Sequence, residues 1–113
     1  MNNVAGPFEL PGEEPLDLPE PDESVRYDLV ILNDDTHTFE YVIGLLHDVF
    51  GVSRDFGYGM AETIDYRGER VVFTGAWREV AQKRDAILAY GPDPWLPFST
   101  GPLRVEIHES SRE

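Results

Sequence analysis

The apolar residues of this chain change their period within one short stretch, and that switch limits the folds open to it. Tyr27-Asp28-Leu29-Val30-Ile31-Leu32 ends in four consecutive apolar residues. A strand pattern without alternation predicts burial on both faces, hence a central strand. From Phe39 the apolar positions Phe39, Val42, Ile43, Leu46, Val49 and Phe50 fall three or four apart, the period of an amphipathic helix, and Gly51 stops it. A central strand running into such a helix predicts a sheet covered by helix.

The rest of the chain continues this plan. Ser53 can cap a second helix to about Asp65, with Phe56, Met60 and Ile64 on one stripe. Gly57 and Gly59 each weaken that helix by about 1 kcal/mol relative to alanine, so it needs tertiary support. Gly68 marks a turn, Arg70–Thr74 reads as a strand, and a third helix spans Trp77 to Tyr90 before Gly91-Pro92. Gly91 to Gly101, with three prolines, is a loop, and Leu103–His108 alternates as a half-buried strand. The order β-α-α-β-α-β predicts an α/β (α+β) fold: a small three-stranded antiparallel sheet packed on three helices.

A chain of 113 residues is long enough for one core and too short for two. Residues 1–25 hold seven acids, no Lys or Arg, and five of the nine prolines. That composition predicts a disordered acidic arm, because it offers little apolar surface to offset ordering. The expected core is 26–109, with a tail at 110–113. A formal net charge of −13 argues against nucleic acid, whose phosphates need a basic footprint. No apolar run approaches the roughly 20 residues that cross a bilayer. A signal-peptide pattern is lacking, and so is cysteine, which excludes thiolate metal sites. The expectation is a soluble cytoplasmic protein with no membrane contact.

The chemistry concentrates at the strand-to-helix junction, Asn33-Asp34-Asp35-Thr36-His37-Thr38. Residues there are held firmly yet face outward, and they offer acceptor oxygens and negative charge. Such a group suits a cation that donates hydrogen bonds, and equally suits a helix cap. An α-amino group, with a pKa near ~8, is such a cation. Asn33 supplies a neutral acceptor and Asp34 or Asp35 the countercharge. Ala61, Ile64 and Asp65, at three- and four-residue spacing on the second helix, can form an opposite wall. Two acids at one site repel, so at least one carboxyl is expected to be raised. Nucleophilic catalysis lacks a Gly-x-Ser-x-Gly elbow, and no phosphate-cradling glycine loop is followed by lysine. Asp34, Asp35 and His37 could instead hold a divalent metal, the enzyme-class alternative.

These residues resemble the ClpS adaptors of the Clp protease across about Arg26 to Glu109. The likeness rests on Val30-Ile31-Leu32-Asn33-Asp34-Asp35, Thr38-Phe39-Glu40-Tyr41-Val42, Phe50, Tyr66-Arg67-Gly68, Val80–Arg84 and Gly101-Pro102-Leu103. The resemblance implies a non-enzymatic adaptor, without cofactor or metal. It would bind proteins whose first residue is bulky and apolar (N-degrons) and deliver them to a Clp ATPase N-domain of the ClpA or ClpC type. It implies that Asn33 and Asp34 hold the α-amino group, with Asp65 standing where the family has a histidine. Asp35 and His37 would line the entrance, and Phe39, Val42, Ile64 and Leu103 the pocket. Ala61 replaces a larger family residue, usually Met, and Phe39 replaces another Met. Glu79 and Arg84 would face the ATPase. The Asp93–Thr100 segment is longer than the family pattern predicts. A domain of the same topology with a different protein partner is the other alternative.

Overall fold

A computed structural model of the chain describes residues 24–110. Of the expected arm (1–25) and tail (110–113), residues 1–23 and 111–113 lie outside the described residues, and Ser110 N–H donates to Arg26 O at 2.8 Å.

Strand β1 (Tyr27–Leu32) leads to helix α1 (Phe39–Phe50), then α2 (Arg54–Arg67), β2 (Glu69–Gly75), α3 (Trp77–Ala89) and β3 (Arg104–Glu109). The sheet is antiparallel in the order β2-β1-β3, so β1 is central, as its unbroken apolar run predicts. Leu29 and Ile31 are fully buried among the helices, and Val30, on the opposite side of the pleat, is only 4% exposed. The register of β1 against β2 shifts between Leu29 and Val30. Asp28 and Thr74 meet across that pair, the Thr74 hydroxyl donating to Asp28 Oδ1 at 2.6 Å.

Each helix begins and ends where its residues require. Thr38 caps α1, its hydroxyl accepting from Tyr41 N–H at 3.1 Å, and Gly51 closes it in the left-handed region at φ 73°. Ser53 caps α2 through Phe56 N–H, and α2 runs two residues past the expected end to Gly68 at φ 89°. The support that α2 needed comes from α1: Gly57 is buried, and a methyl added there would meet Ile43 and Val52 at 3.7–3.8 Å. Those are ordinary van der Waals distances, so α1 and the turn after it pack closely on this side of α2.

The core draws on every helix: Tyr41, Val42, Leu45 and Leu46 of α1, Met60, Ala61 and Ile64 of α2, Val80 and Ile87 of α3, with Leu103 before β3. Tyr41 and Leu45 were not on the stripe read from the sequence. They are buried because α1 packs against α3 as well as α2, so two of its faces are covered. Trp77 stacks edge-on to Tyr27 at 5.3 Å, at the rim. Trp95 departs from the usual rim placement and is 71% exposed.

Candidate functional site

The junction after β1 is organised around one oxygen. Asp34 Oδ1 accepts from Thr36 N–H at 3.1 Å and from the Thr36 hydroxyl at 3.0 Å, and lies 2.9 Å from His37 Nδ1. Among the described residues no donor reaches Oδ2, and the side chain keeps 12% of its surface. Burial opposes the charge on Asp34, but the His37 and Thr36 contacts outweigh it and hold the carboxyl below the usual range. Asp34 is therefore not the raised carboxyl expected of crowded acids. The result is a carboxylate with one oxygen saturated and the other open.

Asn33 ties the strand end to α2: its N–H donates to Gly68 O at 2.9 Å, and its Oδ1 accepts weakly from Asp35 N–H at 3.3 Å. Asp35 sits in the left-handed region at φ 61°, which Asp tolerates better than most residues, and it is exposed. The His37 side chain is 2% exposed and packs on Tyr41 at 4.8 Å between ring centres. Its Nε2 donates to Gly101 O at 2.9 Å. His37 therefore braces the junction from inside, whereas the expectation had it at an entrance.

Beside this junction lies a cleft of about 520 Å³, lined by Phe39, Tyr58, Gly59, Glu62, Thr63, Asp65, Tyr66 and Arg67. It brings together Phe39 and Asp65, two of the expected residues. Phe39 meets Tyr58 edge-on at 5.7 Å. Asp34 is not in its lining, so Asp34 and Asp65 do not share that cleft. Asn33 nevertheless bonds Gly68, three residues beyond Asp65. Val42, Ala61, Ile64 and Leu103 are 7%, 3%, 4% and 3% exposed and form part of the core against which Phe39 packs. The expected wall of Ala61, Ile64 and Asp65 is thus split, two residues inward and one outward. Tyr58, Glu62 and Tyr66 were missed; their spacing of four marks the α2 face beside the core stripe.

On α3, Glu79 Oε1 accepts from Ala76 N–H at 3.3 Å, and Arg84 pairs with Asp85 at 3.2 Å while lying over Trp77. Five positions apart, they stand about 140° from each other around the helix. They bracket the helix surface and do not share one stripe.

The loop from Gly91 to Gly101 is built on Asp93, a residue that sequence reasoning gave no role. Asp93 is 1% exposed. Its Oδ2 accepts from Thr38 N–H at 2.6 Å and its Oδ1 from Trp95 N–H at 2.8 Å, while its own N–H donates to Ser99 Oγ at 2.9 Å. Burial would raise this carboxyl, but the Thr38 and Trp95 amides hold it low. An acid between two prolines in an apolar loop was the available signal. Tyr41 adds a tie by donating to Gly91 O, and burial together with the nearby Asp93 charge pushes its phenol up to about 12.

These shifts set a pH window. Asp34 and Asp93 contribute stability that is complete above the ordinary aspartate pKa, near ~4, and lost as pH falls through their lower folded values. Tyr41 contributes stability present below pH ~10 and lost as pH rises towards about 12, up to about 3 kcal/mol in all. Thermal melts across pH are expected to fall at both ends, and Tyr41→Phe is expected to flatten the alkaline limb.

The metal alternative loses its geometry here. Among the described residues no three His, Asp or Glu side chains converge as ligands. His37 directs both ring nitrogens at protein oxygens, and Asp35 points outward. No helix among the described residues is long and apolar enough to cross a membrane.

The chain matches the family ATP-dependent Clp protease adaptor protein ClpS over residues 22–97, and it belongs to that family. The solved structure of Agrobacterium tumefaciens ClpS2 bound to L-phenylalaninamide superposes with a TM-score of 0.62 at 24% identity, covering 76% of this chain and 98% of that one. The E3 ubiquitin-protein ligase UBR2 of Homo sapiens is 30% identical over 104 residues, 92% of this chain, and the Mus musculus protein matches equally. The chain spans about 6% of the length of these ligases.

Proposed function

We propose that this protein is a non-catalytic adaptor that binds proteins by a bulky apolar first residue and its free α-amino group, and hands them to a Clp ATPase. The observation that carries the reading is Asp34: an ionised carboxylate with Oδ1 locked by three partners and Oδ2 left to accept from a donor. An ammonium carries three donors and the complementary charge. Asn33 Oδ1, engaged only by a long bond, is the second acceptor. Asp65 supplies a further negative charge at the cleft, where a carboxylate accepts but cannot donate to a peptide backbone.

The first side chain seats at Phe39, displacing its ring from Tyr58 to reach Val42, Ala61, Ile64 and Leu103. Ala61 leaves room for a large group, and Asp35 borders the mouth. The phenylalanine amide in the related structure is a ligand of this chemistry and supports the reading. Glu79 and Arg84 are proposed to meet the N-domain of a ClpA- or ClpC-type ATPase, in the cytoplasm.

Calorimetric titration with Phe- and Leu-initiated peptides, beside their N-acetylated forms, tests the reading. Acetylation removes the charge and two donors, so the acetylated peptides are expected to lose at least about 1.5–3 kcal/mol. Equal affinity for both forms would rule out amine recognition.

A further inference from the structure

We propose that Asp93 is a positioning residue for the amine site, acting through the Gly91–Gly101 loop and His37 on the Asp34 carboxylate. This inference rests on the amine reading of Asp34 above. Three ties join the loop to the start of α1: Tyr41 donates to Gly91 O, Thr38 N–H to Asp93 Oδ2 at 2.6 Å, and His37 Nε2 to Gly101 O at 2.9 Å. The third passes directly into the site, because the other nitrogen of the same ring lies 2.9 Å from Asp34 Oδ1. An imidazole bonded at both ends cannot rotate without losing one partner.

Gly101 is fixed from the same loop. Asp93 organises that loop from within: its Oδ1 holds Trp95 N–H, its N–H reaches Ser99 Oγ, and Ser99 N–H returns to Leu96 O at 3.0 Å. A carboxylate 1% exposed, with a backbone donor on each oxygen, is a built feature of the fold. Asp93→Asn keeps the shape but turns an NH2 group towards one of those two N–H donors. The loop should then shift, Gly101 O should leave His37, and the ring should release Asp34 Oδ1. His37 and Asp93 thus position Asp34 and touch no substrate themselves.

The readout separates positioning from simple stability. Folded Asp93→Asn protein, held well below its melting temperature, is expected to bind a Phe-initiated peptide at least tenfold more weakly. Its weak affinity for the acetylated peptide should not change, so the free-to-acetylated ratio collapses. In the peptide-free protein, proton NMR of the parent should show a slowly exchanging His37 ring N–H, lost in the variant. Ser99→Ala, which removes a single loop bond, should give a smaller change in the same direction and serves if Asp93→Asn does not fold. A variant with a lower melting temperature but an unchanged ratio and an intact ring signal overturns the inference while leaving the amine reading standing. A parent that shows the ring signal but does not discriminate between the two peptides overturns the amine reading, and the inference with it.

Discussion

Asp34→Ala is expected to weaken binding of a Phe-initiated peptide by about 2–5 kcal/mol, the cost of removing one partner of a desolvated charge pair. That corresponds to roughly a 30- to 5,000-fold rise in Kd. The alanine leaves the proposed substrate ammonium without its countercharge, deprives both Thr36 donors of their acceptor and removes the contact at His37 Nδ1. The variant should therefore melt earlier as well, and affinity must be compared with both proteins folded. Asp34→Asn separates the two effects. It keeps an acceptor for the Thr36 donors but has no charge, so its binding should fall far more than its melting temperature. Calorimetry at low temperature reads both; an Asp34→Ala protein that binds as tightly as the parent would remove the central element of the site.

Leu45→Ala carries the largest expected effect on stability. Leu45 is fully buried in the cluster that joins all three helices to β1. Truncating such a residue costs about 2–5 kcal/mol, the lost transfer energy plus the cavity left behind. A domain of this size holds only about 5–15 kcal/mol in total, so much of its margin would go. Denaturant melts should show an earlier midpoint with an unchanged slope. A change below about 1 kcal/mol would mean that α1 can shift to fill the space.

The fold was legible because local signals agreed with tertiary packing. The unbroken apolar run of β1 marked the central strand. Thr38, Ser53, Gly51 and Gly68 set helix ends at or within two residues of those observed. What escaped were contacts between segments distant in sequence. Tyr41 and Leu45 became core because α1 has two helical neighbours, which a one-face periodicity does not express. Asn33, Asp34, Phe39 and Asp65 were marked as site residues from their chemistry at the junction and from family resemblance. The orientation of His37 depended on Gly101, 64 positions away. Asp93 stood out only as an acid between two prolines, and its role was hidden for the same reason: its partner is Thr38, 55 positions away.

The bond from Asn33 N–H to Gly68 O has a consequence for how readily this binding surface can be retuned. It fastens the end of β1 to the end of α2 through main-chain atoms, so it depends on no side chain at positions 61 or 65. Exchanging the side chains at positions 61 and 65 therefore leaves the two elements hooked together. Insertions are another matter. One extra residue between Asp65 and Gly68 would turn Asp65 by about 100° relative to that fastening point. Substitution at such positions spares the frame, whereas a change in length between them and Gly68 would disturb it.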